Sequence, residues 1–419
     1  MEHLAPPESR GRRTGDSDVM VTERCPVDSE RPKPVDRRAA RVPFLLLLMI
    51  VLVGTSTANA SGGVRNRLAV SYTGTDYYQP TNFFNHCGYW TWLTDCYTND
   101  TNDPTPREQV SIDARFIAKN HLGGFQRLWV SLDQLMRWNS VTGYQSFYPA
   151  YLVHLDDALS RFAQYGIKVD LVLLTRSQGT TARHQFRPRA LDGLHPAMRT
   201  GYLRAVHDFL VHISRNPVDA STIGVVDLEN EAYLQLDEYF QNRAHLGTFT
   251  QCADQHGVSW NCLETRIIHP WLSDLYATAK ATAPSFLYTV SSDGDLLTSD
   301  RLRQAYLLRL YPVDVYDVHL YSDTPWREQA RWASSRWFDK PWFSGETGCS
   351  VQSTHCIYDG ALAAPIDRWW LRHMQAYGAQ AILIEDAGTA WGYRAGPLHP
   401  QLTATGQAIQ QVTLAPNHA

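Results

Sequence analysis

Two glutamates carry the chemistry for which this chain is equipped. Glu231 lies near the end of Ile223–Tyr233 (IGVVDLENEAY), and Glu346 sits just past the aromatic core of Lys340–Gly348 (KPWFSGETG). Each stretch begins apolar and ends polar. A buried strand that finishes this way delivers its last side chains to one end of a sheet, and the first stretch would deliver Asn230 beside Glu231. Two carboxyl groups at two strand ends are the minimum equipment for breaking a glycosidic bond. Other chemistries lack their signatures. There is no H-E-x-x-H for a metal-dependent hydrolase, no H-x-H after the first strand, and no Gly-rich phosphate fingerprint. There is no G-x-S-x-G for a serine hydrolase. The cysteines contain no C-x-x-C. No metal and no cofactor is expected.

The elements that must hold these groups are legible from periodicity. Apolar runs predict eight strands, at Arg65–Tyr72, Gln126–Ser131, Lys168–Leu174, Thr222–Leu228, Phe286–Ser291, Val313–Leu320, Pro341–Ser344 and Ala381–Glu385. Between them, helical patterns occupy Ser111–Leu122, Tyr148–Tyr165, Thr200–Ser214, Thr265–Ala283, Arg301–Leu308, Trp326–Trp337, Pro365–Tyr377 and Leu402–Val412. Short apolar strands between amphipathic helices imply a parallel sheet buried on both faces. Eight such units point to an α/β fold of one domain, a single (β/α)8 TIM barrel over 61–419, rather than two doubly wound domains. Such a barrel does its chemistry at the C-terminal ends of its strands. One cleft should therefore collect Tyr72 and Asp76, Arg127, Thr175 and Arg176, Asn230 and Glu231, Ser292 and Asp293, His319 and Tyr321, Glu346, and Glu385, Asp386 and Trp391. Alternation places Trp129 on the inward face of Arg127. It also places Asp227 and Glu229 on the face of Glu231 but deeper, as structural groups. The loops Thr73–Pro106 and Gln235–Glu264 are long, which favours a pocket or short cleft over an open groove.

The chain has 419 residues, 44% of them hydrophobic, and a formal charge of -4. That composition supports a large core, and no dense basic stripe for nucleic acid follows residue 41. Residues 1–41 are polar, Pro-rich and mixed in charge, as disordered segments are. Arg37, Arg38 and Arg41 then precede VPFLLLLMIVLV (Val42–Val53) and Ala58-Asn59-Ala60. A positive flank, a short apolar run and an A-x-A site read as a secretory signal over 42–60. The long polar flank leaves two alternatives open, a later start such as Met20 or an uncleaved anchor. The expected location is secreted or extracytoplasmic, with any membrane contact through this anchor alone, and the expected state is a monomer. Of seven cysteines, Cys25 precedes the apolar run. The others form three close pairs: Cys87 and Cys96, Cys252 and Cys262, Cys349 and Cys356. Beyond an export signal an even number of cysteines implies disulfides, and local pairing is the simplest of fifteen connectivities. All three pairs follow strands one, four and seven, so the long loops of the active face would be braced by them.

The whole pattern resembles clan A of the glycoside hydrolases, and within it the cellulase-like family five group. The residues that carry the likeness are Asp227-Leu228-Glu229-Asn230-Glu231, His319-Leu320-Tyr321, Gly345-Glu346-Thr347-Gly348 and the strand-two Arg127. The resemblance implies a retaining hydrolase of a carbohydrate substrate. Glu231 would be the general acid/base, its pKa held up by apolar walls and the second carboxylate. Glu346 would be the nucleophile, kept ionised by Arg127 and Tyr321. Asn230 would bind the sugar 2-hydroxyl, His319 would position Glu346 or a sugar hydroxyl, and Trp391 would stack on a sugar ring. The chain departs from the family at three places. Thr175-Arg176-Ser177 stands where a histidine usually follows strand three, with His184 later. Ala232 follows the Asn-Glu pair in place of proline, and Glu385-Asp386 occupies the usual site of the strand-eight tryptophan. The competing readings are a non-catalytic carbohydrate-binding barrel, which has no need of a carboxyl pair, and a transglycosylase on the same scaffold.

Overall fold

The structure is a computed structural model. It describes residues 68–77, 92–98, 104–139, 143–174, 196–232, 253–254, 257–258, 266, 268–292, 312–322, 324–327, 338–349, 360–385, 391–392 and 400–414. The predicted signal segment, the helix predicted at Arg301–Leu308 and most of that at Trp326–Trp337 lie outside these residues. Among the described residues no helix is long and apolar enough to cross a membrane.

Eight parallel strands form the centre. They are β1 (Thr73–Asp76), β2 (Phe125–Trp129), β3 (Lys168–Leu174), β4 (Ile223–Glu229), β5 in two pieces (Tyr288–Thr289 and Ser291–Ser292), β6 in two pieces (Tyr316–Val318 and Leu320–Tyr321), β7 (Trp342–Gly348) and β8 (Ala379–Ile384). Each strand pairs with the next, and β8 pairs back onto β1. The first piece of β5 pairs with β4 and the second with β6, so the ring closes across Val290. Among the described residues the chain forms the expected parallel barrel of eight strands with helices around it.

Around it lie α1 (Pro106–Lys119), α2 (Pro149–Ala163), α3 (Pro196–Arg215), α4 (His269–Thr282), α5 (Gly360–His373) and α6 (Ala404–Leu414). Local chemistry explains their ends. The α1 helix starts five residues before the predicted Ser111, because Thr105 and Glu108 form a capping box and Pro106 takes the first turn. Pro149 opens α2 in the same way. Gly378, at φ 92°, turns the chain from the helical layer into β8. Among the elements not foreseen is a hairpin of Met136–Asn139 with Gly143–Phe147, whose Phe147 packs on Phe209 of α3.

The barrel interior is stratified, and alternation along the strands is the reason. At the bottom, Leu68, Phe125, Val225, Val315, Phe343, Ala381 and Leu383 form an apolar plug. Each buried side chain of that size contributes roughly 1.5–3 kcal/mol. Two residues further on, the same strands present Arg127, Asp227 and Asp317. Above them come Trp129, His319 and Tyr321. The predicted first strand is corrected here. Pairing begins at Thr73, and Leu68 and Val70 of the expected run Arg65–Tyr72 serve the plug instead. A hydrophobic run reports burial, and burial beneath a barrel is as apolar as burial within its wall.

Candidate active site

Arg127 is the hub of the upper barrel and is fully buried. Strand register sets Asp76, Arg127 and Asp170 side by side on β1, β2 and β3. The guanidinium Nη2 donates to Asp227 Oδ2 at 2.7 Å and to Asn230 Oδ1 at 2.8 Å. Nη1 donates to Glu346 Oε1. Nε lies 3.2 Å from Asp170 Oδ2, a charge contact without hydrogen-bond alignment. Five carboxyl groups, those of Asp76, Asp170, Asp227, Asp317 and Glu346, thus surround one arginine and His319. Two cations do not balance five buried anions. Burial, reinforced by neighbouring carboxylates, holds Asp76 and Asp170 well above the usual carboxylate range, and it raises Asp227 as well.

The two glutamates meet over this base. Oxygens of Glu231 and Glu346 and a ring nitrogen of His319 all lie within 4.8 Å of one another. His319 Nδ1 is 2.7 Å from Glu231 Oε1 and 3.3 Å from Glu346 Oε2. Burial opposes a charge on His319. The negative Glu346, with Asp317 and Glu231, outweighs it and holds the imidazole well above its ordinary pKa. The Tyr321 hydroxyl donates to Glu346 Oε2 at 2.6 Å. Burial raises the Glu346 carboxyl, while His319, Arg127 and Tyr321 pull it back. Glu231 itself is half-buried and held at φ 45°, a left-handed conformation rare outside glycine. Its amide N–H donates to Ser291 Oγ at 3.0 Å, and that hydroxyl donates to Asn230 Oδ1 at 3.2 Å. Strain held by such surrounding bonds is characteristic of functional sites.

The cluster joins Arg127, Asn230, Glu231, His319, Tyr321 and Glu346, as the sequence predicts. Trp129 also faces inward, donating to Asp76 Oδ1 at 2.8 Å with the Arg127 guanidinium over its ring. Glu385 is half-buried and close enough to raise Tyr321. Two expectations fail. Tyr72 turns outward, its hydroxyl bonded to Leu371 O of α5, because it precedes β1 rather than ending it. Glu229 is a structural group as expected, but it accepts from Trp271 Nε1 of α4 at 2.5 Å instead of sharing the face of Glu231. The turn into the left-handed Glu231 breaks the simple alternation there.

Three participants were not singled out: Asp170, Asp317 and Ser291. Asp317 accepts from the Gly345 amide at 2.6 Å and its carboxylate faces His319 Nε2 at 3.8 Å. The available signal was an aspartate inside an apolar run, as in KVDLVLL and VDVYDVHL, since a buried unpaired charge is too costly to persist. Thr175, Arg176, His184, Asp293 and Asp386 lie outside the described residues. So does the side chain of Trp391, whose backbone pairs with Leu402 in a two-residue strand. Cys96 and Cys349 are among the described residues. Cys87, Cys252, Cys262 and Cys356 fall outside the described residues.

Among solved structures, the endo-1,4-β-mannanase of Rhizomucor miehei matches with a TM-score of 0.50 at 15% identity, over 75% of this chain and 85% of that one. The β-mannanase of the blue mussel Mytilus edulis matches at 0.52 and 12% identity, over 84% and 97%. The endo-β-1,4-mannanase of Thermotoga petrophila matches at 0.52 and 13%, over 82% and 76%. No family model and no curated protein matches the chain. Likeness at such identities is likeness of fold, and the fold is the barrel of these glycosidases.

Proposed function

We propose that this chain is a retaining glycoside hydrolase acting by double displacement on a β-linked polysaccharide or glycoconjugate. The observation that carries the reading is the carboxyl pair, with oxygens of Glu231 and Glu346 within 4.8 Å. Retaining enzymes hold their carboxyl groups about 5–5.5 Å apart, whereas inverting enzymes need about 6.5–9.5 Å to admit a water. Glu346 attacks the anomeric carbon as Glu231 protonates the departing oxygen. A water then attacks the glycosyl-enzyme ester, giving its proton to Glu231 and releasing Glu346. The assignment of roles follows the surroundings. Glu346 has a fixed cation and a phenol hydroxyl on its oxygens, which suits an anion, while Glu231 is the more exposed and can reach a leaving group. Asn230 Oδ1 accepts from Arg127 and Ser291, which fixes the amide beside the carboxyl pair, where it would bind a sugar hydroxyl.

The mannanase neighbours make β-1,4-mannan the first substrate to test. The apolar segment Val42–Val53 and the six cysteines that follow it support export, with Cys87–Cys96, Cys252–Cys262 and Cys349–Cys356 as the disulfide pairing. The test is turnover of mannan, other β-glucans and aryl β-glycosides by wild type and Glu346→Ala, with and without azide. Loss of turnover in the variant, with azide yielding a glycosyl azide of inverted anomeric configuration, is the expected result. Undiminished turnover by Glu346→Ala refutes the assignment. Binding of a glycan by a wild type that never turns over replaces the enzyme with a carbohydrate-binding barrel.

A further inference from the structure

Away from the carbohydrate cleft, three ionisable side chains meet in the outer helical layer. Asp156 comes from α2, His212 from the C-terminal part of α3, and Asp219 from the short helix Pro217–Thr222 that leads into β4. One potential ligand atom of each lies within 4.8 Å of the other two. His212 Nε2 is 2.7 Å from Asp156 Oδ1, and both side chains are partly exposed. Asp219 is different. It is fully buried, and neither of its carboxyl oxygens has a hydrogen-bond partner of acceptable geometry. Buried carboxyl oxygens without a donor are costly, and this pair is aimed at a second carboxylate. His212 also lines an open surface hollow with Asp208, Val211, Arg215 and Asn216, so the group can be reached from solvent.

We infer that Asp156, His212 and Asp219 form a binding site for a divalent cation of the zinc class, separate from the carbohydrate site. An imidazole nitrogen and two carboxylate oxygens make a three-ligand set that zinc completes with water. Calcium prefers six to eight oxygens and magnesium a mostly hydrated octahedron, so the nitrogen and the low ligand number select against both. With bonds of about 2.0–2.1 Å, a tetrahedral ion holds its ligand atoms about 3.3 Å apart. His212 and Asp156 therefore open slightly as the ion replaces the proton between them, and binding releases protons. The ion ties α2 and α3 to the segment entering β4. Its role is structural, because the three ligands lie outside the barrel wall.

The test uses the full chain without an affinity tag, stripped with chelator and titrated with zinc chloride. Calorimetry gives the affinity, and elemental analysis after gel filtration gives the stoichiometry. The expected result is one zinc per chain and a zinc-dependent rise in Tm. Asp219→Asn and His212→Gln should each weaken binding at least about tenfold without loss of glycosidase activity, while Glu346→Gln binds as wild type. If Asp219→Asn does not fold, Asp156→Asn tests the same site through a partly exposed ligand. No zinc retained by wild type, or undiminished binding by these variants, overturns the proposal. So does loss of zinc in Glu346→Gln alone, which would put the ion between the glutamates.

Discussion

Tyr321→Phe removes one oxygen atom and tests the electrostatics of Glu346. The hydroxyl donates to Glu346 Oε2 at 2.6 Å. Burial and the charge of Glu346 hold the phenol well above its ordinary pKa, so it remains a donor throughout the working range. A hydrogen bond to a charged group contributes about 1.5–3 kcal/mol. One pKa unit corresponds to about 1.36 kcal/mol, so its loss should raise the Glu346 carboxyl by about one to two units. The sign follows from the role. In the proposed mechanism Glu346 attacks only when ionised, so activity should fall as pH drops through its pKa. The acid limb of kcat/KM, which reports the free enzyme, should therefore move to higher pH by about one to two units in the variant. In wild type that limb should already stand above the ordinary glutamate value, because burial raises Glu346. The assay is kcat/KM against pH on the best substrate of the panel, with circular dichroism confirming the fold. An acid limb that stays in place in Tyr321→Phe refutes the nucleophile assignment or the bond.

Glu229 makes a prediction about stability. Burial pushes its carboxyl up to about 8. The folded chain then keeps a proton that the unfolded chain releases, so stability falls as pH rises from the ordinary glutamate value of 4.5 toward about 8. By neutral pH the loss is on the order of 3 kcal/mol. Glu229→Gln accepts the same Trp271 bond with no proton to lose. In denaturant unfolding it should match wild type at acid pH and gain up to about 3 kcal/mol near pH 7; an equal difference at both pH values counts against it. Gly345→Ala places a Cβ 2.4 Å from Asp317 Oδ2. Either Asp317 or the β7 backbone must shift, which costs about 1–3 kcal/mol and moves Glu346 off its partners. A fall in both Tm and kcat is expected, and wild-type values of both would show that the contact is slack.

What the sequence by itself determined is the place of seven of the eight strands along the chain and the end of the sheet to which they deliver polar groups. The run Lys168–Leu174 is predicted and found with the same bounds, because a buried parallel strand is a near-continuous apolar run stopped by turn residues. Their positions at the C-terminal ends of the strands made Arg127, Asn230, Glu231, His319, Tyr321 and Glu346 legible as one set. Where burial had two explanations, sequence chose wrongly, as with the segment before Thr73. Where the backbone left its regular twist, as at Glu231, alternation misdirected Glu229. Only the tertiary structure decided distances. Closure of the ring and the register of each strand bring Arg127 onto Glu346 and set five carboxyl groups around one guanidinium. An acid in an apolar run announces that it needs a partner, but which partner depends on strands far apart in the chain. The barrel geometry, which no single segment encodes, makes that choice.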